Sequence, residues 1–312
     1  MKYKYLLIDA TNLLWRSLYS NVKEILINKE LIYTGGIEQF IKRLNQLLFE
    51  FSYTDSSIVY LLFDNPKSEL NFRQMIDEEY KHARLAKKPE KQIYNTMNLL
   101  MEILKNYSNN YRIANLDKLE ADDLTKPILE SLKTEIDDFN KVLVISADMD
   151  WSRNIDKNIH WYNFVDIIDE VKFIEKYGFS PIGNKVKMYK ALHGDTSDSI
   201  PNAVPYLDKN IMLHIIENFD DPTILFKNLW KQEYSKHWKT KLFEAERQIL
   251  TNFQLADFVD IECSIQEIVR KCTRNCKALR FYYKNLKIPF EGFMTTKEEN
   301  KKSFLGMKKG YK

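Results

Sequence analysis

The sequence predicts an α/β fold with a doubly wound, mostly parallel sheet, followed by a helical C-terminal domain. Apolar runs of five to seven residues end repeatedly in an acidic residue, which is typical of buried parallel strands. Segments with 3.6-residue spacing separate these runs, so strands and helices alternate in the first half of the chain. From about residue 170 onward the apolar spacing is helical.

The elements of the first half follow one another as strand, helix and strand, an order that favours right-handed parallel crossovers. The predicted strands are 4–9, 57–64, 110–114, 141–147 and 158–164. The predicted helices are 35–51, 92–106 and about 121–134. In the first of these helices the apolar side chains of Ile37, Phe40, Ile41, Leu44 and Leu48 share one face.

A domain boundary is predicted near residue 180, where Pro181 and Gly183 interrupt the pattern. The predicted parts are an α/β domain at 1–180, a helical domain at 181–295 and a basic tail at 296–312. The tail is polar and rich in lysine, and we expect it to be loosely ordered.

The composition is that of a soluble globular protein, with 44% hydrophobic and 29% charged residues in a chain of 312. No stretch of 18 apolar residues is present, and the apolar run near the N-terminus covers three residues only, so we predict neither a membrane span nor a signal peptide. The three cysteines are Cys263, Cys272 and Cys276. They are odd in number and late in the chain, which predicts reduced thiols of a cytosolic protein. Cys272 and Cys276 are four residues apart, as on one helix face, but no histidine nearby completes a zinc site.

Nine acidic residues are candidate metal ligands, and most of them follow an apolar run. They are Asp9, Asp64, Glu120, Asp122, Asp123, Asp148, Asp150, Asp195 and Asp198. The carboxyl ends of parallel strands meet at one edge of the sheet, where ligands of open α/β folds bind. Converging carboxylates repel one another unless divalent cations hold them, and oxygen ligands suit Mg²⁺ or Mn²⁺. The sequence therefore predicts a metal-dependent enzyme of phosphate chemistry.

The acidic clusters differ in how strongly they support this prediction. The segment LEADDL (119–124) lies at the start of a predicted helix, where acidic residues also serve as simple caps. Asp148 and Asp150 are two residues apart, so both point to the same side of an extended chain. Asp195 and Asp198 are three apart and share one side of a helical turn.

Basic residues are concentrated in two segments. Residues 81–91 contain five Lys or Arg and one Glu, and the tail 296–312 contains six Lys and two Glu. Basic segments near an acidic pocket suit a polyanion that approaches a metal centre. Solvated surface is the alternative interpretation of such charge runs.

Five segments together resemble the 5′-nucleases, or flap endonucleases, of bacteriophages and of bacterial DNA polymerase I. The segments are LLIDATNLLWRSLYS, LLFDNPKSELNFRQMIDEEYKHAR, LEADDL, VISADMDWSRNI and HGDTSDSIP, and they lie within residues 5–205. The resemblance implies a PIN-like catalytic core at 1–180, a helical arch near 70–106, and a DNA-binding domain at 181–295. It also implies hydrolysis of phosphodiester bonds at DNA or RNA–DNA 5′ ends, in phage DNA replication and primer removal.

The resemblance further implies roles for single residues. Asp9, Asp64, Glu120, Asp122 and Asp123 are expected at a first metal site, and Asp148, Asp150, Asp195 and Asp198 at a second. Two Mg²⁺ ions, replaceable by Mn²⁺, are the implied cofactors. Tyr80 is expected to stack on a terminal base, and Lys81 and Arg84 to hold the scissile phosphate. Lys87, Lys88, Lys91 and Lys209 are expected to contact nucleic acid.

One departure from the family concerns the hairpin that grips duplex DNA. Asn202, Pro205 and Leu207 stand where the family has glycines, which let backbone N–H groups approach phosphate and a monovalent cation. Phage relatives such as the T-even phage ribonuclease H similarly lack a regular hairpin. We therefore predict a modified helix-hairpin-helix.

Several interpretations stay open. The activity is flap cleavage, or alternatively that of a ribonuclease H-like primer-removing exonuclease, an inactive DNA-binding relative or a PIN-type ribonuclease. We expect a monomer that acts on branched or 5′-ended nucleic acid. The polar tail contains the apolar residues Phe304, Leu305 and Met307, and apolar residues within a polar tail are typical of peptides that dock on partner proteins. A sliding clamp or a single-strand-binding protein suits such a peptide, whereas an ordinary disordered terminus is the alternative.

Overall fold

The computed structural model describes residues 1–21, 23–27, 29–53, 56–65, 72–81 and 91–288. The chain divides into two compact units. Unit 1 comprises Met1–Phe63, Pro89–Ala114 and Gln266–Lys312, and unit 2 comprises Asp64–Lys88 and Asn115–Ile265. The boundary predicted near residue 180 lies inside unit 2, and the predicted domain division stays a prediction.

The described residues form nine strands and thirteen α-helices. The strands are β1 (Tyr5–Asp9), β2 (Ile25–Ile27), β3 (Glu30–Ile32), β4 (Ile58–Leu62), β5 (Tyr111–Ala114), β6 (Val142–Ile145), β7 (Ile159–Tyr162), β8 (Ile167–Ile168) and β9 (Val269–Lys271). The helices are α1 (Ala10–Leu18), α2 (Thr34–Phe51), α3 (Phe72–Ile76), α4 (Lys91–Lys105), α5 (Thr125–Leu132), α6 (Glu170–Tyr177), α7 (Lys185–His193), α8 (Lys209–Asn218), α9 (Pro222–Asn228), α10 (Lys236–Glu244), α11 (Glu246–Leu255), α12 (Ile265–Ile268) and α13 (Cys276–Leu286).

Unit 1 contains parallel strands with one antiparallel neighbour. β4 pairs with β1 and β5, both parallel, and β9 pairs with β5 antiparallel. All five residues of β1 are buried, as expected for a strand covered on both faces. The predicted apolar face of α2 is buried at Ile37, Phe40, Ile41 and Leu44, and Leu47 is buried there in place of Leu48.

Unit 2 combines three strands with most of the C-terminal helices. β6 pairs parallel with β7, and β8 pairs antiparallel with β7. β6 is buried along its whole length, and the chain turns directly from it into a 3-10 helix at Met149–Asn154. Of these five strand pairings three are parallel and two antiparallel. The predicted α/β fold with a mixed, mostly parallel sheet is thus confirmed.

The region of the modified hairpin lies between α7 and α8. Asp208 caps α8 by accepting hydrogen bonds from the N–H groups of Asn210 and Ile211. The left-handed backbone conformation between residues 200 and 208 falls on Tyr206, with φ of 62°. A non-glycine residue therefore takes the conformation that glycine adopts without steric cost.

None of the described helices is long and apolar enough to cross a bilayer.

Candidate metal centre

Eight of the nine predicted metal ligands lie in unit 2, and Asp9 lies in unit 1. Asp9 is the last residue of β1, as predicted, and it caps α1 by accepting a 2.8 Å hydrogen bond from the N–H of Asn12. Asp64 follows β4 and accepts a 2.8 Å hydrogen bond from the N–H of Ala121. This bond fixes Asp64 beside the LEADDL segment.

Three carboxylates of unit 2 converge as a candidate metal site. Asp148, Asp150 and Asp198 each offer an oxygen within 4.8 Å of the others. Asp148 follows β6 and caps the 3-10 helix, accepting a hydrogen bond from the N–H of Asp150. Asp198 ends the short 3-10 helix Thr196–Asp198. An all-oxygen set of this kind fits a hard divalent cation.

A buried lysine occupies the centre of this group. The Nζ atom of Lys190, on α7, lies 2.7 Å from Asp150, 2.8 Å from Asp195 and 3.8 Å from Asp148. The side chain is only 2% exposed. Lys190 therefore links Asp195 to Asp148 and Asp150, and it supplies one internal positive charge. The four acids predicted for the second metal site thus lie close together, beside a cation that the sequence analysis did not identify. Their role as metal ligands stays a prediction.

The charges around Lys190 set the protonation of the acids. Burial raises the pKa of Asp148 to about 6, with repulsion from Asp150 adding to it and attraction by Lys190 opposing it. Burial alone would also raise the pKa of Asp195. The positive charge of Lys190 and the hydrogen bonds from Lys190 and Ser197 outweigh this effect and lower the pKa of Asp195 to about 2. The pKa of Lys190 is raised, because the carboxylates outweigh its burial. The lysine stays charged and Asp195 stays ionised at neutral pH.

A buried arginine supplies the positive charge next to the acidic residues of the LEADDL segment. Arg73, on α3, donates hydrogen bonds of 2.8 and 3.1 Å to the two oxygens of Asp123. It lies 3.3 Å from Glu120 and 3.5 Å from Asp122. The side chain is 3% exposed. Burial opposes the charge of Arg73, but these carboxylates raise its pKa well above the ordinary value. Burial also raises the pKa of Asp122.

Arg73 further connects the acids to the end of α11. Its Nε atom donates to the carbonyl of Leu255 at 3.0 Å, and its second terminal nitrogen donates to the carbonyl of Asp257 at 2.8 Å. The N–H of Val259 donates to Asp123 at 3.0 Å. No local pattern in the sequence indicates this role, because Arg73 and its partners lie up to 184 residues apart along the chain.

Lys81 connects the two acidic sets. Its Nζ atom lies 2.6 Å from Glu120 and 3.7 Å from Asp198. Its backbone N–H donates to the carbonyl of Asp198 at 2.8 Å, and its φ of 57° is left-handed. A non-glycine residue held in this conformation is strained, which is common at functional sites. The backbone bond aims the ammonium group at the acids.

Tyr80 lies next to the same two acids that Lys81 contacts, Glu120 and Asp198. Its ring is 2% exposed and contacts Ile200, Leu255 and Ile76. Its hydroxyl donates toward Glu120 at 3.3 Å and toward Asp198 at 3.4 Å, and burial raises its pKa well above the ordinary value. No face of the ring is open in this arrangement. Stacking on a terminal base stays a prediction that requires Tyr80 to leave this packing.

The remaining predicted contacts are only partly described. Lys91 is exposed at the start of α4 in unit 1, and Lys209 is exposed at the start of α8 in unit 2. Arg84, Lys87, Lys88 and the tail at 296–312 lie outside the described residues.

A family model described as the 5′-3′ exonuclease, N-terminal resolvase-like domain, matches residues 4–178, more than half of the chain. The chain belongs to the 5′-3′ exonuclease family. This match confirms the predicted family, and with it a metal-dependent nuclease that hydrolyses phosphodiester bonds.

Two proteins named 5′-3′ exonuclease are similar over most of their length. That of Mycoplasmopsis pulmonis (strain UAB CTIP) is 27% identical over 253 residues, which cover 79% of this chain and 77% of the relative. That of Buchnera aphidicola subsp. Baizongia pistaciae (strain Bp) is 26% identical over 235 residues, which cover 73% of this chain and 70% of the relative.

Among solved structures, a bacteriophage enzyme shares the fold over most of the chain. It is the bacteriophage T5 D15 flap endonuclease, in a pseudo-enzyme-product complex with DNA and metal ions. The TM-score is 0.62 at 19% identity, with 81% of this chain and 89% of that chain covered. At this identity the likeness supports the fold alone, and it agrees with the predicted α/β core.

Arg73→Met is expected to lower the free energy of unfolding by about 3–5 kcal/mol, because it leaves buried carboxylates without a counter-charge. Arg73→Lys should lose less, since it keeps the charge but not the paired hydrogen bonds to Asp123. Urea unfolding in EDTA measures both effects. Arg280→Met, at an exposed position of α13, is the control and should stay within about 0.5 kcal/mol of wild type. A wild-type midpoint for Arg73→Met would contradict the role assigned to this arginine.

Proposed function

We propose that this chain is a structure-specific 5′-nuclease that uses two divalent ions, Mg²⁺ in the cell, to cleave DNA or RNA–DNA 5′ ends. The observation that carries the proposal is the convergence of Asp148, Asp150 and Asp198 within 4.8 Å, next to a second acidic set that Lys81 links to it. Mn²⁺ is expected to substitute, because it prefers the same oxygen ligands.

The acids divide into two groups by their contacts. Asp148, Asp150, Asp195 and Asp198 surround Lys190 or one another, and they are assigned to one ion. Glu120, Asp122 and Asp123 surround Arg73, and together with Asp64 they are assigned to the other ion. The carboxylates of these two groups outnumber the two buried cations, Lys190 and Arg73. The remaining negative charge is what the binding of two divalent cations requires.

Bound divalent ions supply activation of water and stabilisation of the leaving oxygen in an in-line displacement. The side chains of this chain provide the rest. Lys81 donates from a position between the two acidic sets, so its ammonium group is assigned to a phosphoryl oxygen of the scissile phosphate. Lys190 and Arg73 hold the carboxylates in place, and their burial keeps them away from the substrate.

The substrate is proposed from the basic residues and from the DNA in the T5 flap endonuclease complex. Lys87, Lys88 and Lys91 would contact the 5′ strand, and Lys209 the duplex, through phosphates. Removal of primers or flaps during replication, in a phage or elsewhere, is the process that such cleavage serves. A sliding clamp or single-strand-binding protein as partner of the tail is part of this proposal.

The proposed specificity is tested by comparing the cleavage of three substrates on one gel. A 5′-flap duplex, a nicked duplex and an RNA-primed duplex are incubated with Mg²⁺, and the products are sized. We expect short 5′ products, with the flap cleaved at the junction. Cleavage restricted to the RNA strand would favour the ribonuclease H-like alternative. Absence of cleavage on all three substrates would favour the inactive relative and overturn the proposal.

A further inference from the structure

Two aromatic side chains stand exposed next to each other in unit 2. Trp230, in the 3-10 helix Leu229–Lys231, is 56% exposed, and Phe243, near the end of α10, is 54% exposed. Their ring centroids lie 6.1 Å apart. Two large rings that lie side by side and keep about half of their surface in water form an exposed apolar spot.

Three lysines lie near these rings along the chain, and one of them contacts Trp230. Lys236, Lys239 and Phe243 are spaced i, i+3 and i+7, so they share one face of α10. The Nζ atom of Lys239 donates to the carbonyl of Trp230 at 3.2 Å, which holds this lysine beside the ring. Lys231 is exposed directly after Trp230. We call Trp230, Phe243, Lys231, Lys236 and Lys239 the aromatic–basic surface.

The charge of the segment suits a polyanion. Residues 222–244 contain five lysines against two glutamates, whereas the entire chain has 47 basic and 44 acidic residues. An apolar protein partner would not need this local excess of lysine. Lysine beside exposed aromatic rings is the combination with which proteins hold single strands, phosphates on the cations and bases stacked on the rings.

We propose that the aromatic–basic surface binds single-stranded nucleic acid, with bases stacked on Trp230 and Phe243 and phosphates held by the lysines. Duplex nucleic acid does not offer this contact, because its bases are already stacked in the helix. The site is separate from the acidic sets and uses none of their residues. It deepens the proposed function by giving the enzyme a grip on an unpaired strand, but binding there does not require cleavage.

The test is binding of a labelled oligothymidylate of about 15 nucleotides, a length within reach of such surfaces, in EDTA so that cleavage plays no part. The double variant Trp230→Ser/Phe243→Ser should bind about tenfold more weakly, as expected for lost stacking. Trp230→Phe keeps a ring and should retain most of the affinity. Phe139→Ser is the matched control, because Phe139 is 86% exposed but is flanked by Asp137 and Asp138.

Two further readouts identify the mode of binding. Wild-type tryptophan fluorescence should be quenched when the oligonucleotide binds, and Trp230→Phe should lose much of this quenching. Lys231→Ala should reduce the slope of log affinity against log salt by about 0.7, the value for one phosphate contact on a single strand.

Each outcome decides for or against the proposal. Wild-type affinity in the double variant, with folding verified by circular dichroism, would overturn it. An equal loss of affinity for a blunt duplex would also overturn it, since stacking on free bases would then not be the contact. These results are independent of nuclease activity, so failure here leaves the cleavage proposal to its own gel assay.

Discussion

Asp150→Asn and Asp198→Asn are each expected to reduce cleavage by about 1,000-fold or more, because a lost ligand charge weakens an ion that carries several kcal/mol of transition-state stabilisation. The amide has nearly the same shape as the carboxylate, but it offers no negative charge to a cation. Affinity for DNA should stay within about twofold, since the basic residues that contact phosphate remain.

The fold should survive these changes. In Asp150→Asn, Lys190 keeps Asp195 and Asp148 as partners, and in Asp198→Asn, Lys81 keeps its contact with Glu120. Single-turnover cleavage and binding to the same flap substrate separate the two effects. Asp117→Asn, at an exposed position of unit 2, is the control and should behave as wild type. A parallel fall of binding and cleavage would argue that these acids support the structure and do not hold a metal.

Lys81→Ala is expected to lower the cleavage rate by about 100- to 1,000-fold, the usual effect of removing one preorganised donor to a developing anion. The ammonium group lies between Glu120 and Asp198, and its backbone N–H is tied to the carbonyl of Asp198. Alanine removes the donor and leaves that backbone bond in place. The rate at saturating substrate should therefore fall much more than the affinity.

Lys133→Ala, at an exposed position after α5, provides the comparison for Lys81→Ala. Both variants should stay folded, since Glu120 keeps Arg73 as a partner when Lys81 is replaced, and only Lys81→Ala should lose rate. Normal turnover in Lys81→Ala would mean that the resemblance of the segment EYKHAR to the family is misleading at this residue.

The parts of the fold that the sequence predicts well are those with a local signal. β1, β4 and β6 are continuous apolar runs that each deliver an acid, and α2 repeats its apolar face over 18 residues. β8 and β9 were not predicted, because strands of two and three residues carry too little periodicity to stand out.

The sequence predicted the acidic residues of the candidate site but not its two buried cations, Lys190 and Arg73. A lysine such as Lys190 on a helix ordinarily lies on a solvated face, and only tertiary packing reveals that this one is buried among carboxylates. Arg73 gives no better signal, since its acceptors lie 47 to 184 residues along the chain. Tyr80 was predicted to stack on a terminal base, and its burial follows from contacts with Ile200 and Leu255 that sequence spacing cannot show.

Cleavage of a 5′-flap duplex as a function of free Mg²⁺ tests the central claim most directly, because the two acidic sets have no other proposed use. We predict no product in excess EDTA and full recovery when Mg²⁺ is restored. At low Mg²⁺ the rate should rise more steeply than in proportion to the concentration, as two ions require. Cleavage that persists in excess EDTA would contradict the account.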